Sequence, residues 1–173
     1  GSYIIATEPL EKDVARELIP RGRMVYDTKH FLHYLRLTPC RRLLFGGRAG
    51  FVPETPASVR ESAGILRRDM VQMFPQLREA RVAYAWGGTL DFTFDLMPHA
   101  TQVDGMHIAV GYAGHGVALA TYLGTRMGAR LAGAPVEHPF DRPLRGAPLG
   151  LYRGDPWFLP LAGAWYRLLD WVS

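Results

Sequence analysis

Gly111-Tyr112-Ala113-Gly114-His115-Gly116 is the stretch of this sequence best suited to chemistry. It lies between a short β-type run, Met-His-Ile-Ala-Val at 106–110, and a helical pattern over residues 117–131. The start of a helix carries unpaired backbone N–H groups and a partial positive charge. Glycines let a ligand come close to that backbone. The amides near Gly114, His115, Gly116 and Val117 can therefore hold an electron-rich ligand atom. The spacing is not the dinucleotide fingerprint Gly-x-Gly-x-x-Gly, because Leu119 stands where the third glycine is needed. No Walker-type loop occurs, and a purely structural turn satisfies the same pattern.

Other polar candidates are more scattered. His115 and His99 have the ring chemistry of a general base, but a lone histidine is more often a structural hydrogen-bonder. Asp91 and Asp95 alternate along one face if residues 80–95 form a strand, and a turn at the strand end accounts for Asp95 equally well. Tyr34 and Arg36 share one face of a strand over 31–38, with His33, Leu35 and Leu37 on the other. No metal-ligand spacing is present.

The elements that must hold these residues can be read from local patterns. Residues 3–8 form a strand ending at Glu8-Pro9, and a short helix over 10–19 stops at Pro20. Strands are expected over 24–28 and 31–38. The second turns through Pro39-Cys40-Arg41 into residues 42–47, which makes an antiparallel hairpin. The clearest helix runs over 56–74, with Thr55 as cap and Pro56 at the first position. Ser58 with Glu61 offers an alternative capping box. Val59, Ala63, Leu66, Met70 and Met73 fall at helical spacing and predict its buried face. Gly87-Gly88 interrupts the 80–95 stretch, and the plainer reading is a bulge rather than a close approach by another group. Gly116, Ala120, Gly124, Gly128 and Ala132 recur every four residues beside an apolar row of Leu119, Leu123, Met127 and Leu131. This stripe is expected to pack closely on a backbone element from outside the chain. The last forty residues, with Trp157, Phe158, Trp165, Tyr166 and Trp171, read as a packed tail ending in a short helix.

Composition limits the function classes. The chain has 173 residues, 48% hydrophobic and 21% charged, which is ordinary for one folded unit or slightly more. The net charge is +4, carried mostly by scattered arginines rather than a basic stripe with interleaved aromatics, so nucleic-acid binding is not expected. No run approaches the length of a membrane span. Cys40 is the single cysteine, so no internal disulfide can form and a cytoplasmic setting is the simpler expectation. Gly1-Ser2 reads as a vector remnant and Tyr3 opens directly on a strand, so a truncated chain is expected.

Two longer strings resemble a known family. They are Trp86-Gly87-Gly88-Thr89-Leu90-Asp91-Phe92-Thr93-Phe94-Asp95-Leu96-Met97-Pro98-His99 and Gly111-Tyr112-Ala113-Gly114-His115-Gly116-Val117-Ala118. Both resemble the D-amino-acid oxidase and glycine oxidase superfamily of FAD-dependent oxidoreductases, and in particular its γ-glutamylputrescine oxidoreductase-like branch. Ala6-Thr7-Glu8-Pro9-Leu10, Leu43-Leu44-Phe45-Gly46-Gly47-Arg48 and Gly154-Asp155-Pro156-Trp157-Phe158 look similar to that branch too. The resemblance implies an α+β fold: a mixed, largely antiparallel sheet with flanking helices, plus the last strand–loop–helix of a Rossmann-like FAD domain. It divides the chain into the later half of a substrate domain (1–105), the strand–glycine loop–helix of the FAD domain (106–133) and a Pro- and aromatic-rich tail (134–173). It implies FAD as cofactor, with Gly114, His115, Gly116, Val117 and Ala118 against the flavin ring. It implies Tyr34 as substrate-facing, and places Leu90 where the amino-acid oxidases carry a carboxylate-binding arginine. Leucine cannot make the paired hydrogen bonds that hold a carboxylate. A substituted amine such as a polyamine derivative therefore fits better than a free amino acid, unless Arg36 compensates.

The partners implied are a small-molecule amine, an absent amino-terminal FAD-binding half, and a second copy of the chain if the face toward that half is apolar. Two other readings stay open. One is a non-enzymatic module whose glycine loop binds an anion or a protein. The other is one subunit of a heteromeric flavin dehydrogenase.

Overall fold

In strand β1 (Ser2–Thr7), Tyr3, Ile5 and Thr7 are buried on one face, while on the other Ser2 and Ile4 are half-buried and Ala6 is covered, so period-two alternation holds over the first four residues. In this computed structural model residues 1–47, 54–144, 146 and 157–172 are described. Residues 1–89 with the carboxy-terminal helix form one compact unit, and residues 90–156 a second.

The first unit is built on a five-stranded sheet of order β2-β3-β4-β1-β5, and every pairing in it is antiparallel. Its other strands are β2 (Val25–Tyr26), β3 (Tyr34–Leu37), β4 (Leu43–Gly47) and β5 (Val82–Gly88). The expected hairpin across Pro39-Cys40-Arg41 is the β3–β4 pair, with Tyr34 opposite Gly46 and Arg36 opposite Leu44. β5 is shorter than the expected 80–95 stretch. Residues 89–98 leave the sheet through turns, so Asp91 and Asp95 do not alternate on a strand.

The glycine pair is not a bulge. The register shift between β1 and β5 lies at Ala6/Thr7, and Gly87 pairs in register with Tyr3. A Cβ at Gly87 would stand 2.8 Å from the Tyr3 ring. Gly87 is therefore a close approach, made to admit a ring that is buried and whose hydroxyl donates to Ser58 Oγ at 3.1 Å. At the shift itself, Thr7 Oγ1 accepts the Leu43 N–H at 2.9 Å.

Helix α1 (Lys12–Leu18) buries Ala15. Helix α2 (Pro56–Met73) starts with Thr55 Oγ1 accepting from Ser58 N and Ser58 Oγ accepting from Thr55 N, at 3.1 and 2.9 Å. Thr55 and Ser58 thus form the capping box, and the Ser58–Glu61 alternative is not used, because Pro56 fixes the start one turn earlier. On α2 Ser62 is buried and Met73, on the same side as Leu66 but at the last helical position, is exposed; Leu66 and Met70 are fully buried. With Tyr3, Ile5, Leu35, Leu43, Phe45 and Leu77 they make the main core. Each fully buried leucine there adds about 1.5–3 kcal/mol. The His33 ring lies between Asp27 at 2.9 Å and Asp69 at 3.2 Å, which ties the β2–β3 turn to α2.

The carboxy-terminal helix α4 (Leu159–Val172) belongs to this unit, and its Tyr166 stacks on His30 with ring centroids 5.4 Å apart. It is fourteen residues long rather than short. Trp157, ahead of α4, and Trp165 on it are exposed rather than packed; on α4 apolar residues spread around the helix and one contact face cannot cover them all. Arg48 and residues 154–156, two pieces of the strings quoted above, lie outside the described residues.

The second unit contains a hairpin of β6 (His99–Val103) and β7 (Met106–Val110), the glycine loop, and helix α3 (Gly116–Leu131). Asp104 and Gly105 both take positive φ, 50° and 81°, as a two-residue hairpin turn demands. Ala100, Leu123 and Met127 are its buried core, with Ala109, Tyr112 and Phe140 packed on them. The end of α3 is tied down by an Arg130–Asp141 ion pair and by Arg130 donating to Val136 O at 3.2 Å. Among the described residues no helix is long and apolar enough to cross a membrane.

Candidate functional site

Strand β7 delivers the chain into a loop whose shape is held by backbone geometry. Gly111, Ala113 and Gly114 all take positive φ, at 79°, 48° and 86°. His115 N donates to Tyr112 O at 2.8 Å and closes a tight turn, and α3 begins at the next residue. Two successive positive φ values at Ala113 and Gly114 suit a turn of the I′ kind, for which alanine is a strained choice. Tyr112 Oη donates to Ala109 O at 3.1 Å and braces the loop against β7.

Gly111 has a second reason to be glycine. A Cβ there would lie 2.6 Å from Thr93 Cγ2 and 3.0 Å from Met97 O. The segment 91–97 is folded on the loop: Asp91 Oδ2 accepts from Gly111 N at 2.6 Å, and Asp91 O accepts from Ala113 N at 3.2 Å. Within that segment Thr93 Oγ1 donates to Met97 O at 2.7 Å.

The outward side of the loop is open. At Gly114 an added Cβ would meet only Leu90 Cδ1, at 3.9 Å, and at Gly116 only the Tyr112 ring side, at 4.0 Å. His115 provides no side-chain cap to α3, and its Nδ1 sits 3.2 Å from Ala113 O instead. His115 therefore braces its own loop. Val117 in the first helical turn is 92% exposed. The Gly116, Val117 and Ala118 amides have no acceptor one turn back within the helix. The open glycines let a planar ring approach these amides, and the helix start favours the negative charge that a flavin takes on when reduced, so these residues fit a flavin.

The small-residue stripe of α3 is equally bare. A Cβ at Gly124 or at Gly128 would meet nothing within 4 Å, whereas Leu123 and Met127 beside it are buried. Leu131, the last residue of the apolar row, is exposed.

His99 is buried, with Nε2 3.0 Å from Asp95 Oδ1 and Nδ1 3.3 Å from Arg142 O. Asp95 also accepts from Met97 N at 3.2 Å. The His99 hydrogen bond, ahead of that from the Met97 amide, brings the Asp95 carboxyl down to about 2. Both ring nitrogens of His99 thus face protein oxygens, and the ring has a structural hydrogen-bonding role here. A cleft of about 280 Å³ lies against Asp95, Met97, His99, Arg142 and Pro143. No residue of the glycine loop lines it. Among the described residues no group of three or more metal-ligating side chains stands together.

Leu90 and the 114–118 loop are thus brought together in the second unit, with Leu90 beside Gly114. Tyr34 and Arg36 belong to the first unit and point away from its core, on the face opposite Leu35. The Tyr34 ring lies across Gly46, where a Cβ would be 2.3 Å from it, and its hydroxyl is 3.2 Å from Ser2 Oγ. Strand register places Ile4 and Trp86 in the same cross-sheet row, and Ala6 and Tyr84 in the row of Arg36. Arg42 covers the Tyr84 ring at 5.3 Å. Sequence reasoning noticed Asp91 but not its contact with Gly111, because residues twenty apart in a loop carry no local signal of pairing.

Residues 1–130 match the family model described as FAD dependent oxidoreductase (DAO). The chain is 40% identical over 119 residues to the probable oxidoreductase OrdL of Haemophilus influenzae, covering 68% of this chain and 26% of that protein. It is 34% identical over 175 residues to the gamma-glutamylputrescine oxidoreductase of Escherichia coli, covering 98% of this chain and 40% of that protein. The chain therefore spans well under half the length of these relatives. Among solved structures, glycine oxidase from Geobacillus kaustophilus superposes with a TM-score of 0.62 at 16% identity, over 84% of this chain and 39% of that one. L-proline dehydrogenase from P. horikoshii gives 0.61 at 19% identity, over 81% and 38%. At such identities the two structures speak to the fold alone. The family match extends over β1 to α3 and includes the glycine loop, and on that ground the chain belongs to the D-amino-acid oxidase-type family of FAD-dependent oxidoreductases.

Proposed function

We propose that this chain is the carboxy-terminal part of an enzyme that oxidises an amine or amino acid by hydride transfer to FAD. The observation that carries this reading is the uncapped start of α3, reached through an open glycine loop. Bound FAD would accept the hydride from the carbon next to the substrate nitrogen, leaving an imine that water hydrolyses. Gly114, His115, Gly116, Val117 and Ala118 would line the flavin ring, with the unpaired amides of Gly116, Val117 and Ala118 toward it, where a helix start favours negative charge. Tyr34 and Arg36, on the outward face of β3, would contact substrate. Leu90 offers no carboxylate recognition, and this favours a substituted amine over a free α-amino acid. In this reading residues 1–105 serve the substrate domain and 106–133 close the FAD domain. The tail 134–173 follows them. The phosphate-binding half of the FAD domain would come from sequence outside this chain, and the bare stripe of α3 is where that half would pack.

The test is the visible spectrum of the protein extended upstream to its natural start and purified without added cofactor. A flavin spectrum that bleaches when amines are added anaerobically is the expected result. A folded, colourless protein that takes up no added FAD would refute the proposal.

A further inference from the structure

The flavin-facing role proposed for the 114–118 loop raises the question of what holds that loop in a strained shape, and the following rests on that reading. Gly111 and Ala113 both sit at positive φ, and Ala113 does so with a Cβ. Such a conformation persists only where its surroundings over-determine it. The two bonds that do so come from one residue. Asp91 takes the Gly111 N–H on its carboxylate at 2.6 Å and the Ala113 N–H on its own carbonyl at 3.2 Å. An acceptor oxygen at that distance, charged or not, fixes the direction of the amide it receives. Thr93 Cγ2 and Met97 O close the other side of Gly111. The turn that Asp91 fixes is the one closed by His115 N on Tyr112 O, and Gly116 starts α3 immediately after it.

We infer that Asp91 is a positioning residue: by clamping Gly111 and Ala113 it sets where the first amides of α3 stand against the flavin. It touches neither the flavin nor the substrate in this role. Its negative charge is incidental to the effect, and even unfavourable, since a carboxylate near the loop opposes the negative charge that the reduced ring carries. Shape and charge therefore predict opposite outcomes, and substitution separates them.

The experiment uses the upstream-extended flavoprotein with Asp91→Asn, Asp91→Glu and Asp91→Ala. The readouts are the dissociation constant of FAD and the midpoint potential of the bound flavin, neither of which requires a substrate. Asn keeps an acceptor at the same distance without the charge. Glu keeps the charge but moves the acceptor by one methylene. Positioning predicts that D91N retains FAD within about twofold of the parent. It also predicts that D91E and D91A weaken retention by about tenfold, the scale of a lost hydrogen bond to a charged group, and that D91E, which keeps the charge, shifts the potential negative. If D91A fails to fold, the D91N and D91E pair decides alone. The inference is overturned if D91E matches the parent while D91N shifts the potential positive, which is a charge effect, or if all variants match the parent. A parent protein that binds no FAD would instead overturn the flavin reading on which the inference stands.

Discussion

Replacing Gly111 by alanine should damage the second unit more than a methyl added to any other of its described glycines. Two effects add at this position. At φ 79° an L-residue pays the left-handed penalty of about 1–2 kcal/mol. The new methyl also lands 2.6 Å from Thr93 Cγ2 and 3.0 Å from Met97 O. Thr93 cannot swing aside freely, because its hydroxyl is bonded to that same Met97 carbonyl at 2.7 Å. Overpacking of this kind costs about 1–3 kcal/mol. The sum is about 2–5 kcal/mol, a large part of the about 5–15 kcal/mol that holds a domain together. The assay is amide hydrogen exchange of α3, with urea unfolding followed by circular dichroism beside it. Gly124→Ala is the control: it adds the same methyl to an open face of α3, where nothing lies within 4 Å, and should stabilise by up to about 1 kcal/mol. If G111A stays within about 0.5 kcal/mol of the parent, the account of the loop is wrong, because neither the strain nor the contact would then be real.

Two further outcomes follow from the same geometry. Gly87→Ala would push a methyl to 2.8 Å from the Tyr3 ring, which is pinned by the core and by Ser58, and should destabilise the first unit by about 1–3 kcal/mol; a melting temperature equal to the parent's would contradict this. Asp95 has its carboxyl lowered from 3.8 to about 2, so the folded state gains from its ionisation above pH 3.8 and loses that gain as pH falls toward 2. Asp95→Asn should accordingly flatten the fall in stability between about pH 4 and pH 2, measured by urea titrations at each pH, and an unchanged acid slope would show that the His99 bond does not set it.

The sequence by itself determined the local elements and the family. Alternation in Tyr34–Leu37, the Pro39-Cys40-Arg41 turn into Leu43–Gly47, the Thr55-Pro56 start of α2, and the glycine loop before α3 are all written in neighbouring residues. Local dihedral preference and short-range capping are enough to specify them. The Asp104-Gly105 hairpin was equally local, and the Asp-Gly pair was the signal that could have revealed β6. Tertiary structure alone decided what depends on residues far apart in the chain. Gly87 looked like a bulge until Tyr3 arrived across the sheet from the chain's beginning. Asp91 looked like a strand residue until Gly111 and Ala113 folded back onto it. The sheet order, with β1 between β4 and β5, belongs to the same class. Closing such loops costs chain entropy that only the assembled contacts repay, so no short window of sequence contains the answer.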